Sequence, residues 1–139
     1  MKPASLFGAG GAIATLIVDG LYLAAIAQQG VTPPGGRVVF VAAWIGAAAA
    51  IGLAGAFVRP DATRALLLGG AAAMLVAIGV PAIFSFGGAL LLCAAVVAAG
   101  AIRAAEVESP HTSILAAVPV MLLACASLGV AAGFALTEF

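Results

Sequence analysis

The feature that most constrains this chain is an apolar run from Ala65 to Ile102, which contains no Asp, Glu, Lys, Arg or His. A straight helix over these 38 residues would be roughly 57 Å long, at a rise of about 1.5 Å per residue. That length is about twice the thickness of the hydrocarbon core of a bilayer. The run therefore predicts two membrane spans. The break between them is expected at residues 80–88, which hold a proline, two phenylalanines and a Gly-Gly pair.

The composition supports a lipid environment for the whole chain. Of its 139 residues, 65% are hydrophobic and only 7% are charged, whereas about 25% are charged in a typical soluble domain. So few charges cannot cover a surface that faces water. The formal net charge is zero, and no basic patch is present, so the chain lacks the electrostatic signature of a nucleic-acid-binding protein.

The apolar runs predict an all-α fold, a compact bundle of five transmembrane helices with a tight hairpin between the third and fourth. Together they form one domain over residues 1–139. Between the second and third spans, Asp61 is expected to cap the N-terminus of the next helix. The predicted spans are residues 6–28, 38–58, 64–83, 87–103 and 113–136.

The positive charges predict an orientation. With five spans, Lys2, Arg59, Arg64 and Arg103 fall on one side of the membrane and only Arg37 on the other. Because cytoplasmic loops carry the excess of Lys and Arg, the N-terminus is expected in the cytoplasm and the C-terminus outside.

The abundance of Ala and Gly is similar to that of small polytopic membrane proteins of high-GC bacteria, which predicts the bacterial inner (plasma) membrane. No family motif accompanies this likeness. The first span also resembles a signal peptide, with Ala25-Ile26-Ala27 as a cleavage site. Asp19 interrupts its apolar region and favours an uncleaved span.

Asp19 is the residue that is hardest to place in a membrane. A carboxylate near the middle of a span costs about 2.5–3.5 kcal/mol on insertion scales. No Lys, Arg or His lies within the apolar interior of another predicted span. Helical spacing puts Thr15 and Tyr22 on the same side, which predicts an intramembrane polar cluster of these three residues.

Three states of Asp19 remain open. It is a neutral acid that hydrogen-bonds Thr15, Tyr22 or a backbone carbonyl, or it faces a water-filled path for protons or cations, or it pairs with a residue of a partner subunit.

Small residues at four-residue spacing predict a helix-packing face in the fifth span, formed by Cys125, Gly129 and Gly133. Such faces allow helix backbones to approach closely in lipid. The face serves either packing within the chain or an oligomer interface. Near the start of the second span, Phe40 and Trp44 are expected to belong to an interfacial aromatic belt.

The chain lacks the motifs of hydrolases, metalloproteases and phosphate-binding loops. His111 is the only histidine and is interpreted as a solvated loop residue. We therefore expect no enzymatic activity, no metal and no cofactor. The predicted function is that of a small non-catalytic integral membrane protein, a structural or accessory subunit that self-associates or binds a larger membrane complex. Its expected partners are membrane lipids and a second copy or another membrane protein. The alternative is a small transporter or channel that uses Asp19 to bind a proton or cation.

Overall fold

The computed structural model describes residues 2–30, 33–108 and 112–137, except for the side chains of residues 107, 108, 112–117 and 120. The described part is helical and contains no β-strand. Four of its helices are long and apolar enough to cross a membrane, so the chain has the build of a membrane-embedded helical protein. The helices are α1 (Pro3–Gln28), α2 (Gly36–Phe57), α3 (Asp61–Gly79), α4 (Gly88–Glu108) and α5 (Thr112–Leu136).

Helices α1 to α4 form a closed ring in which each helix packs against two neighbours. Helix α1 packs against α2 and α4, and α3 packs against the same two helices from the opposite side. The centre of this ring is formed by large aliphatic side chains that are almost fully buried, among them Ile45, Leu75, Ile78 and Leu90. Helix α5 lies outside the ring, where it packs on α3 and also contacts α2.

The connection between α3 and α4 lies within the predicted break. Helix α3 ends at Gly79 rather than at residue 83, because Pro81 lacks an N–H group and cannot continue the helical ladder. A π-helical turn from Ile83 to Gly87 then leads into α4. Gly87 is required here, since a Cβ atom at this position would overlap the backbone of Gly79 and Ala82. The two helices pack along one another.

Glycines also set the close approach of α1 and α4. A Cβ atom built on Gly100 would lie 3.1 Å from the carbonyl oxygen of Ala4 and 3.2 Å from the amide nitrogen of Gly8. On the other helix, a Cβ atom at Gly11 would overlap the side chain of Val97. The two backbones are therefore nearly in contact, as small residues permit between helices in lipid.

The aromatic residues near the start of α2 pack between helices. The Trp44 indole Nε1–H donates a hydrogen bond of 3.0 Å to the carbonyl oxygen of Met74 on α3. The Phe40 ring lies 5.7 Å from the Trp44 ring and 5.8 Å from the ring of Phe134 on α5. Phe40 and Trp44 therefore hold α2 against α3 and α5. The prediction of an interfacial belt did not include this packing role.

Candidate functional site

Asp19 lies on α1 at its contact with α2. Its Oδ2 atom would be 3.8 Å from a Cβ atom built on Gly46, an ordinary van der Waals distance, so the carboxyl group lies beside α2 at this position. Its Oδ1 atom is enclosed and has no hydrogen-bond partner among the residues that the structure describes. An enclosed carboxyl oxygen without a partner is costly in an apolar environment. Asp19 is therefore the least satisfied polar group of α1.

Thr15 and Tyr22 share one side of α1 with Asp19, but their side chains contact other groups. The Thr15 hydroxyl is fully buried and donates a hydrogen bond of 2.8 Å to the carbonyl oxygen of Gly11, within its own helix. The Tyr22 ring packs on Phe86, with a centroid distance of 4.5 Å. One of the three open states was a neutral Asp19 that hydrogen-bonds Thr15, Tyr22 or a backbone carbonyl, and among the described residues neither hydroxyl bonds Asp19.

The predicted packing face of α5 is divided between two environments. A Cβ atom on Gly129 would lie 2.7 Å from the indole of Trp44, and one on Gly133 would overlap the ring of Phe40. These two glycines allow α5 to rest directly on the aromatic residues of α2. Cys125, one turn earlier, is exposed. The two glycines therefore pack within the chain, and the cysteine points away from this contact.

An apolar groove runs between α3, α4 and α5, and we call it the alanine groove. Among the described residues, α5 packs on α3 and not along α4, which leaves the groove between them. Its volume is about 380 Å³. This groove was not predicted from the sequence, although Ala94 and Ala98 show the same four-residue spacing that predicted a packing face in α5. Its lining consists mainly of small residues, namely Gly69, Ala72 and Ala73 of α3 and Ala94, Ala95, Ala98 and Ala101 of α4, with Pro119 and Leu123 of α5 forming the far wall.

A charged cavity of about 410 Å³ lies at one end of the bundle, where α1 and α3 begin and α4 approaches its end. Asp61 does not cap α3, whose N-cap residue is Pro60. Instead its carboxylate accepts hydrogen bonds from Lys2, at 3.0 Å, and from Arg64. Arg64 is only 5% exposed and also donates a 2.6 Å hydrogen bond to the carbonyl oxygen of Val58. The charged side chains that line the cavity are Lys2, Asp61, Arg64, Arg103 and Glu106.

Within the described ranges, no group of three or more His, Cys, Asp or Glu side chains is arranged to hold a metal ion. His111 lies outside the described residues. No family model, curated protein or solved structure matches the chain. Any functional proposal therefore depends on the geometry described above.

Proposed function

We propose that this protein is a small non-catalytic accessory subunit of the membrane, which docks a transmembrane helix in the alanine groove. The docked helix belongs to a second copy of the chain or to a larger membrane complex. The observation that carries the proposal is the groove itself, which is open along α4 and floored by glycine and alanine.

The chemistry of the groove suits a helix as its occupant. In lipid, helices associate through close van der Waals packing, because the surrounding acyl chains remove any hydrophobic drive between them. Small residues allow a second backbone to approach closely, and Ala94 and Ala98 place two of them one turn apart on α4. None of the groove's lining side chains carries a charge or a hydroxyl group, so it offers little to a polar solute.

The proposal includes five membrane spans, with α5 as the fifth. It places the N-terminus in the cytoplasm of a bacterium and the C-terminus outside the plasma membrane. Lys2, Arg64 and Arg103 line one cavity, which supports a common side for the chain segments that carry them. Since the cytoplasmic side holds the excess of Lys and Arg, that end of the bundle is assigned to the cytoplasm.

Photo-cross-linking in membranes of the native host tests the docking proposal. A photoreactive amino acid replaces Ala95, which lines the groove and is exposed, and in a control it replaces Ala47, an exposed residue of α2 outside the groove. We expect a discrete protein adduct from position 95 and none from position 47. An adduct with the mass of two chains indicates a second copy, and any other mass indicates a different subunit. Lipid adducts alone, or equal products at both positions, would contradict docking.

One observation favours the alternative function of a small proton or cation transporter. The Oδ1 atom of Asp19 is enclosed without a hydrogen-bond partner among the described residues, which suits a carboxyl group that binds a proton. Neither of the two cavities described above includes Asp19 in its lining, which favours the accessory role.

The substitution Asp19→Asn separates the two functions, because it preserves size but cannot ionise. If the protein is a transporter, we expect proton or cation flux in reconstituted vesicles. The substitution should then abolish the flux and leave assembly intact. If the protein is an accessory subunit, we expect no flux from wild type or from the Asn variant, and the same assembly for both. Loss of assembly in the Asn variant would instead assign Asp19 to a contact with a partner subunit outside the alanine groove.

A further inference from the structure

We propose that the charged cavity at the end of the bundle binds a phosphate group, supplied by an anionic lipid headgroup or by free phosphate. The proposal is independent of the helix-docking function, since the cavity and the alanine groove share no lining residue. Its volume of about 410 Å³ falls within the range of about 300–1,000 Å³ that is usual for small-molecule sites.

The side chain that makes this a built site is Arg64. It lines the cavity and its side chain is 6% exposed, which is unusual for a guanidinium group. Two of its nitrogen atoms are satisfied by Asp61 and by the carbonyl oxygen of Val58. The third, Nε, is enclosed and has no hydrogen-bond partner among the described residues. An enclosed cationic donor without an acceptor is unfavourable. Because Arg64 lines the cavity, an anion bound there would lie beside its guanidinium group and offset this cost.

The charge balance of the cavity also favours an anion. Three cations line it, Lys2, Arg64 and Arg103, against two carboxylates. The carboxylate of Asp61 already accepts hydrogen bonds from Lys2 and Arg64. The structure shows no ion pair between Arg103 and Glu106 or any other described side chain. Arg103 is therefore available to a ligand, while Glu106 opposes an anion.

The position of the cavity indicates where the phosphate comes from. It lies at the ends of long apolar helices, the depth at which lipid headgroups meet a membrane protein. Basic pockets between transmembrane helices on the cytoplasmic side are a recurrent headgroup-binding arrangement. A phosphodiester headgroup brings the oxygen acceptors that guanidinium groups bind best.

Lipid retention in nanodiscs tests the proposal with three single substitutions. The protein is reconstituted in phosphatidylcholine containing phosphatidylglycerol, and the retained phosphatidylglycerol is counted by native mass spectrometry. Arg103→Gln removes a cation of the cavity, and we expect retention to fall about tenfold, as the loss of one hydrogen bond between charged groups implies. Glu106→Gln removes the opposing carboxylate and should increase retention. Arg59→Gln is the matched control, because Arg59 is exposed and does not line the cavity.

A second arm identifies the source of the phosphate. Inorganic phosphate is added to the protein in pure phosphatidylcholine nanodiscs, and the thermal unfolding midpoint is followed. A site for free phosphate is supported if inorganic phosphate stabilises the protein, Arg103→Gln abolishes this stabilisation, and phosphatidylglycerol is not selectively retained. Selective retention without that stabilisation supports the headgroup. An equal loss in the Arg103 and Arg59 variants, or no effect of either anion, would overturn the proposal.

Discussion

Gly11 lies where α1 crosses α4, and one added methyl group there measures how tightly the two helices pack. A Cβ atom on Gly11 would overlap Cγ2 of Val97 and lie 3.2 Å from the Val97 backbone nitrogen. Val97 is fully buried and its χ1 angle has one strongly preferred rotamer in a helix. Neither its side chain nor its backbone can move aside easily. We therefore expect Gly11→Ala to push α1 and α4 apart.

The neighbouring residue Gly10 provides the control, since a Cβ atom there meets nothing within 4 Å. Replacing Gly by Ala inside a helix gains about 1 kcal/mol of helix propensity, and this term is common to both positions. Overpacking of a well-packed interior costs about 1–3 kcal/mol. The unfolding free energies of Gly10→Ala and Gly11→Ala should therefore differ by about 1–3 kcal/mol, with Gly11→Ala the less stable.

Unfolding by sodium dodecyl sulfate in mixed micelles, followed by circular dichroism, measures this difference. Gly20→Ala serves as a second control on α1, because a Cβ atom there also meets nothing within 4 Å. If Gly11→Ala proves as stable as the two controls, the close contact between α1 and α4 does not exist and the packing argument fails.

Two further pairs of substitutions test other parts of the fold. Gly133→Ala places a Cβ atom in the ring of Phe40, so hydrogen exchange in α5 should accelerate, while Gly70→Ala, which meets nothing within 4 Å, should leave it unchanged. Asp61→Asn weakens an acceptor shared by two cations and should lower the unfolding free energy in non-ionic detergent by about 1.5–3 kcal/mol. Lys2→Gln should lower it by about 1 kcal/mol at most, because Lys2 is exposed. Equal effects of these last two would contradict a buried Asp61–Arg64 contact.

The helices themselves were predictable from the sequence. A chain with long apolar runs and few charges must satisfy its backbone groups internally, and helices do so within a single segment. The uncharged run from Ala65 to Ile102 therefore contains two helices. The break predicted at residues 80–88 separates them, although α3 ends at Gly79 and not at the predicted residue 83, and α4 begins at Gly88.

The pairing of helix faces was not predictable in the same way. Both the interior and the lipid-facing surface of a membrane protein are apolar, so periodicity does not indicate which side of a helix faces inward. Small residues occur on several sides of most helices in this chain. The stripe at Gly129 and Gly133 was visible, but its contact with Trp44 and Phe40 depends on where α5 rests.

The charged cavity depends on residues that are far apart in sequence. The segment around Asp61 was interpreted as a local helix cap, whereas its carboxylate binds Lys2 of α1. That contact exists only once α1 and α3 begin at the same end of the bundle. Likewise, the sequence predicted that Thr15, Asp19 and Tyr22 share one side of α1. It did not predict that Thr15 bonds the carbonyl oxygen of Gly11 or that Tyr22 packs on Phe86.

The native mass of the protein, extracted with its surrounding lipid from the host membrane, tests the central claim most directly. Wild type is compared with Ala95→Leu, which fills the alanine groove, and with Ala47→Leu, which enlarges an exposed residue elsewhere. Helix docking in the groove predicts an assembly larger than one chain for wild type and Ala47→Leu, and its loss in Ala95→Leu. A wild-type protein that runs as a single chain, or an assembly that survives Ala95→Leu, would contradict the account.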